Sequence, residues 1–217
     1  TAGNTVNYNG AGNQTVKCPN LGQYHHLSIS TGGAKTLACD IDVNGNLTIN
    51  TATLDASVSS YDIALAGNWV NTAGTFNEQN DTVTIDGLAA QSITNTSGET
   101  FYALRVNKAA DTLTLNDNVT ASKDLIMTLG NIKTVADTLI LGIDTVNVST
   151  LTWTSGTVVG RFKRWIKDTG TGILYPIGTA AWYRPSLVTF TNLGKGSLTG
   201  EFIAATPGGL GLPLPDG

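Results

Sequence analysis

The sequence predicts an all-β chain: a parallel β-helix (β-solenoid) of coils about 20–22 residues long, followed by a small antiparallel β unit. Three observations carry this. The 217 residues are only 13% charged, against about a quarter in ordinary soluble domains. In place of charge stand 33 Thr and 19 Asn, and Glu occurs only at 78, 99 and 201. Helices draw on Ala, Leu, Glu, Lys, Gln and Arg, whereas Thr, Val, Ile and Asn suit strands and turns. The other two observations are internal repeats of different length.

The longer repeat relates the start of the chain to the segment after Asp81. Thr5-Val6-Asn7-Tyr8-Asn9-Gly10 recurs as Thr82-Val83-Thr84-Ile85-Asp86-Gly87. At the same offset Gln14 matches Gln91, Tyr24 matches Phe101, and Leu27 matches Leu104. With small gaps the match continues through Val43 with Val119, Leu47 with Leu125 and Leu54 with Ile132. Apolar positions hold while polar ones drift, as a shared buried face requires.

The shorter period has the length of one coil. Gly45-Asn46-Leu47 recurs as Gly67-Asn68-Trp69, and at that same offset Leu54 becomes Phe76 and Ile63 becomes Ile85. Inside each unit lie short alternating runs such as Leu47-Thr48-Ile49, Ile63-Ala64-Leu65, Leu113-Thr114-Leu115 and Leu139-Ile140-Leu141. Period-2 alternation marks half-buried strands, and the intervening Gly, Asn, Asp and Ser turn the chain. A fixed register favours a solenoid of about seven coils over residues 4–158, with Thr and Asn ladders on its stacked faces. A pair of repeated β-sandwich domains is the alternative.

Two domains are therefore expected. Residues 1–158 form the solenoid in two copies, about 4–80 and 81–158. Residues 159–217 form an antiparallel unit that caps it. That unit holds the basic cluster Arg161-Phe162-Lys163-Arg164-Trp165-Ile166-Lys167, expected to lie outside the coils, then Trp182-Tyr183-Arg184-Pro185, Leu187-Val188-Thr189-Phe190 and a Pro/Gly-rich tail from Pro207 to Gly217. Beginning at Thr1 without a signal pattern, the chain is expected to be a processed product or a piece of a longer one.

A net charge of −4 and a pI near 5.0 give no footprint for nucleic acid. No apolar run reaches the length of a membrane span, and the apolar content argues against disorder.

Few groups suit catalysis, and no cofactor is expected. His25 and His26 are the only histidines, no Gly-x-Ser-x-Gly elbow exists, and zinc ligands are too few. Both histidines read as structural. Asp40-x-Asp42-x-Asn44-Gly45 resembles the start of a calcium loop, but its twelfth position is Thr51 where an EF-hand has Glu. A corner turn is the favoured reading, with calcium at Asp40, Asp42 and Asn44 as the lesser one. The acidic residues are scattered turn aspartates rather than a paired set for glycoside cleavage.

The spacing from Cys18 to Cys39 is close to one coil. Adjacent strands lie about 4.8 Å apart, within the Cα separation that a disulfide accepts. A bridge between neighbouring coils is expected, with two buried free thiols as the alternative. A disulfide implies an oxidising compartment.

Asp81-Thr82, Asp111-Thr112, Asp137-Thr138 and Asp144-Thr145, each followed by an aliphatic residue, read as strand starts after an Asx-turn. The form also resembles the acceptor motif of protein O-glycosylation in Bacteroidota-type bacteria, which makes Thr82, Thr112, Thr138 and Thr145 glycan candidates. The Asn-x-Ser/Thr sequons are expected by chance at this composition.

Further motifs carry a family resemblance. Gly67-Asn68-Trp69-x-Asn71-x-x-Gly74-Thr75-Phe76, Phe101-Tyr102-x-Leu104-x-Val106-x-Lys108 and the ending Tyr183-Arg184-Pro185 to Leu214 resemble the long, repeat-rich, adhesin-like surface proteins of Bacteroidota-type bacteria, often exported by the type IX route. The resemblance implies an extracellular or cell-surface location and a chain that continues beyond Gly217.

The expected function is a non-catalytic structural or adhesive module, self-assembling end to end into a surface fibre, with copies of itself or further domains of the same chain as partners. The alternative is a carbohydrate-binding module or polysaccharide-active β-helix. Surface glycans would then stack on Trp69, Trp153, Trp165, Trp182 or Tyr183. Ice binding by a flat Thr ladder is disfavoured, because no strict surface triplet repeats.

Overall fold

The computed structural model describes residues 3–20, 22–167, 170–191 and 195–204. The described residues contain strands and turns and no helix. The first coil comprises β1 (Thr5–Tyr8), β2 (Gln14–Val16) and β3 (Gln23–Tyr24); the second β4 (His26–Ser30), β5 (Ala34–Leu37) and β6 (Ile41–Val43). The third comprises β7 (Leu47–Asn50), β8 (Thr53–Asp55) and β9 (Ile63–Leu65); the fourth β10 (Trp69–Asn71), β11 (Thr75–Asn77) and β12 (Thr82–Ile85). Then follow β13 (Gln91–Thr94), the long runs β14 (Glu99–Leu115) and β15 (Val119–Leu141), β16 (Thr150–Trp153) and β17 (Val158–Ile166). Both long runs pair with different neighbours along their length, because the ladder continues around the corners.

The coils stack in parallel on three faces. On the first, β1, β4, β7, β10 and β13 lead to Leu113–Leu115, Ile132 and finally Val158, which makes eight rungs where about seven coils are expected. The second face starts with β2, β5, β8 and β11. The third runs β3, β6, β9, β12, then Leu104, Leu125 and β16.

Register places like on like in the interior. Val6, Leu27, Leu47, Trp69, Ile93 and Leu115 form one column. Ile41, Ile63, Val83, Leu104, Leu125 and Leu151 form another. Ile63 therefore sits on Val83 rather than on Ile85, which the short sequence period pairs with it. Outside, small polar side chains stack as expected, for example Thr15, Thr36, Asp55 and Asn77 on the second face.

The long repeat is not a whole number of coils. β1 lies on the first face, but its repeat mate β12 lies on the third. Gln14 in β2 is on the second face and Gln91 in β13 on the first. The repeat falls one face short of four full coils, so the second copy is rotated back by one face. It preserves a strand-and-corner order that any of the three faces accepts.

The expected domain boundary at residue 158 moves toward the C-terminus. β17 continues the parallel ladder as far as Arg164, opposite Leu141. The basic cluster thus belongs to the last coil, because Phe162 and Ile166 supply the alternating apolar side chains that bury it. The antiparallel unit begins after it, with β18 (Gly170–Tyr175), β19 (Ser186–Phe190) and β20 (Gly196–Gly200). β20 pairs antiparallel with β17, Ile177 bridges Val158, and Tyr183 stacks on Trp153 at 4.9 Å. These contacts pair the last strand of the second face and touch the last rung of the other two at Val158 and Trp153. The tail from Pro207 to Gly217 lies outside the described residues.

Candidate functional site: polar groups inside and between the coils

The corners show why Gly-Asn recurs. The Asn46 amide N–H donates to His26 Nδ1 at 2.7 Å, Asn68 N–H to Asn46 Oδ1 at 2.9 Å, and Ser92 N–H to Asn68 Oδ1 at 2.8 Å. Each side chain accepts from the backbone of the next coil at the place where the ladder pauses. A Cβ at Gly67 would collide with the backbone of Gly45 below it, so the corner requires glycine. His26 is the first step of this ladder and His25 is exposed.

A second corner uses aspartate the same way. Asp40 Oδ1 accepts from Asp62 N–H at 2.9 Å, and Asp62 Oδ1 from Thr82 N–H at 2.7 Å. Asp40 is thereby committed to a corner. Asp42 lies outward on β6, and Asn44 is exposed beyond it. Among the described residues no three His, Cys, Asp or Glu side chains gather as a metal set.

Two lysines are buried in the interior. Lys35 Nζ donates to the carbonyls of Gly10, Gly12 and Gly32 at 2.6–2.7 Å. Lys108 Nζ donates to the carbonyls of Gly87 and Ala89 at 2.5 and 2.8 Å and to Gln91 Oε1 at 2.9 Å. Burial pulls the Lys108 ammonium pKa down, against the pull of Asp111 and Asp86. Both lysines close the same turn: Gln14 Oε1 accepts from Gly10 N–H and Gln91 Oε1 from Gly87 N–H. Three oxygens around an ammonium meet its hydrogen-bonding needs without a carboxylate. The matched Gly-x-x-x-Gln of the two copies was the available sequence signal; Lys35 and Lys108 themselves do not align.

Two buried carboxyls lie where the copies meet. Glu99 Oε2 accepts from Trp69 Nε1 at 2.7 Å, Asn71 Nδ2 at 3.0 Å and Asn95 Nδ2 at 3.3 Å. Burial pushes its pKa up and these donors oppose the shift. Asp81 is fully buried, and neither of its side-chain oxygens has a partner. Its pKa is pushed up to about 8 by burial, with Asp62 and Glu78 adding to the effect. Sequence reading found neither role.

The Asx-turn reading of the Asp-Thr motifs holds at Asp144, whose Oδ1 accepts from Val146 and Asn147 N–H at 2.7 Å. These bonds also hold its pKa down. It fails at Asp81 and Asp137, because Thr82 and Thr138 N–H donate to Asp62 and Asn118 of the preceding coil, while Asp111 Oδ1 accepts from the adjacent Thr112 N–H at 2.9 Å. Thr82, Thr112, Thr138 and Thr145 are all half-buried at the surface.

Cys18 and Cys39 are joined, with Cα atoms 5.8 Å apart. The bridge fits an oxidising compartment. Of the aromatic candidates, Trp69 is in the core, edge-on to Phe76 and Phe101. Trp153 and Tyr183 stack on each other. Trp165 is half-buried beneath the Lys163 ammonium, and Trp182 is 62% exposed beside Arg184.

Fold and polar groups together define the class: a disulfide-stapled parallel β-solenoid with internally bonded coils and an antiparallel cap. No family model, curated protein or solved structure matches the chain.

Proposed function

We propose that this solenoid is a non-catalytic structural or adhesive module of an extracellular bacterial surface, of the type IX cargo kind that its motifs resemble. One observation carries the reading: apart from Asp81, the buried side chains that could do chemistry are taken up in joining coil to coil. Lys35, Lys108 and Glu99, and His26, Asp40 and Asp62 at the corners, all bond backbone or side chains of a neighbouring turn. The disulfide favours an extracellular place.

The two ends suggest how such a module is used. Among the described residues β1, β2 and β3 are paired on one side only. Val6 on this edge is 41% exposed. Such an edge is a template for a further strand. Its proposed occupant is a second copy or a further segment of the same chain. At the other end β20 pairs only with β17 among the described residues. End-to-end growth therefore joins the first coil of one copy to the outer edge of β20 on the next, a heterologous contact that propagates.

Electron microscopy and light scattering of the material isolated from cells test this. Filaments or end-joined oligomers are expected, and Asn7→Pro, which removes an edge N–H, reduces them without unfolding the chain. Monodisperse monomers overturn the assembly. O-glycans on Thr82, Thr112, Thr138 and Thr145 belong to the same proposal; intact mass in hexose-sized steps supports them and a single unmodified mass removes them. A carbohydrate-binding reading is kept for one reason, the aromatic and cationic side chains at Trp165 and Trp182.

A further inference from the structure

The outer surface of the second face in the last coils differs from the rest of the chain. On β17 and at the residue just after it, Arg161, Lys163, Trp165 and Lys167 follow at every second position, so they share the outward side while Phe162 and Ile166 point in. The stretch 161–167 holds four of the chain's 12 Lys and Arg, in a molecule whose net charge is −4.

Register extends this side into a track. Thr100 lies beside Thr120, Ile140 beside Lys163, and Lys163 beside Thr199 of β20. The Thr138 N–H bond to Asn118 and the Gly142 N–H bond to the Ala121 carbonyl join the two halves. Five strands at about 4.8 Å spacing make a strip about 19 Å long. A groove of about 280 Å³ runs along it, lined by Thr100, Thr120, Ile140, Gly142, Lys163 and Trp165.

Gly142 keeps the groove open. Its φ of +91° suits glycine, and a Cβ there would press on Trp165 Cβ at 3.1 Å. Trp165 also lines a second groove of about 310 Å³ with Arg164 and Lys167. The Lys163 ammonium sits 4.5 Å from the Trp165 ring centroid, which fixes a cation at the meeting of the grooves. Two acidic side chains nearby are committed elsewhere: Glu201 to Arg161 at 3.6 Å, and Asp144 to backbone N–H groups.

We propose that this strip is a docking track for a linear polysaccharide bearing carboxylates. The hydroxyls of Thr100, Thr120 and Thr199 offer donors and acceptors at strand spacing, Trp165 offers apolar surface to a sugar ring, and Lys163 and Lys167 meet the carboxylates. The first groove is lined by Thr100 and Thr120, which suits a repeating polyhydroxylated chain better than a peptide with anchoring side chains. The inference deepens the carbohydrate-binding reading and is independent of end-to-end assembly.

Sodium polygalacturonate is the probe, with dextran as neutral polymer and poly-L-glutamate as anionic peptide, each in affinity electrophoresis with the whole chain. Retardation by polygalacturonate is expected, weakening as salt rises. The paired change Lys163→Gln and Lys167→Gln weakens it roughly tenfold. Thr120→Glu, which places an anion on the track two rungs from Lys163, weakens it similarly. Thr15→Ala at the far end leaves it unchanged, and thermal melts confirm that each variant is folded. Retardation by dextran alone overturns the carboxylate preference and leaves the carbohydrate reading standing. No retardation by either polysaccharide overturns both. Equal retardation by poly-L-glutamate, or variants that bind like the parent, overturns the track.

Discussion

The first three coils and the junction of the two repeat copies solve the same packing problem differently. In the early coils Val6, Leu27 and Leu47 stack one on another at nearly even steps along the chain. At the junction the step from Trp69 to Ile93 is longer than any before it in this column. The ladder of the second face breaks after β11 and resumes at Glu99–Phe101. Trp69, Phe76 and Phe101 pack on one another in the interior, Glu99 accepts from Trp69, and Asp81 is buried without a partner. A solenoid tolerates such a fault because each coil contacts only its neighbours. The fault is held by fewer, larger and more polar groups, so single substitutions there should be felt more than in the early coils.

The largest effect is expected at Trp69. Trp69→Ala leaves a cavity and removes a donor from buried Glu99, and should cost at least the roughly 3–5 kcal/mol typical of Trp→Ala. Leu47→Ala in the column below should cost about 2–5 kcal/mol. Denaturant unfolding of both measures the contrast; an equal loss would show that the junction is no more fragile than the early coils. Trp69→Phe separates the parts, since it keeps most of the volume and removes the N–H.

Asp81 is next. With its folded pKa near 8 and an unfolded value near 4, the folded chain keeps a proton between these pH values that the unfolded chain releases. Its contribution is complete below about pH 4 and is lost as pH rises through 8. The expected slope is about −1.4 kcal/mol per pH unit inside that window and zero above it. Asp81→Asn cannot titrate, so its stability curve should lack this slope. Chemical unfolding at pH 5, 7 and 9 tests this, and parallel curves for the two chains would remove the buried acid from the account.

How much of this was legible follows from the same contrast. The early coils repeat their side chains, so period and alternation disclosed the solenoid, the strands and the Cys18–Cys39 bridge. The rotation between copies was hidden, because sequence similarity records strand order and not which face a strand occupies. The buried polar groups were hidden for another reason. Lys35, Glu99 and Asp81 look like ordinary surface charges, and only the closed interior forces Lys35 onto turn carbonyls. The basic cluster is expected outside the coils, but the parallel ladder continues past residue 158 to Arg164, because the alternation of Phe162 and Ile166 is that of one more buried strand.

The two buried lysines test whether the copies are equivalent. Lys35→Met strips an ammonium from three carbonyls, and Lys108→Met strips one from two carbonyls and from Gln91 Oε1. Each should cost about 2–3 kcal/mol. Lys108→Met should cost less, because it leaves two carbonyls without the ammonium where Lys35→Met leaves three, while Gln91 Oε1 keeps its bond from Gly87 N–H. Equal losses would make the two turns interchangeable despite their different faces.

The smallest global effect is expected from the disulfide. A loop of this length would give about 2–4 kcal/mol in a cooperative domain. Here it ties the edge coil to its neighbour, and unfolding of that coil need not spread. The paired change Cys18→Ser and Cys39→Ser should therefore move the main unfolding transition by less than about 1 kcal/mol. Backbone hydrogen exchange should rise sharply in β1, β2 and β3 and stay unchanged beyond β9. Faster exchange throughout the chain would show that the first coil nucleates or locks the whole stack, and that the early coils and the junction are one cooperative unit.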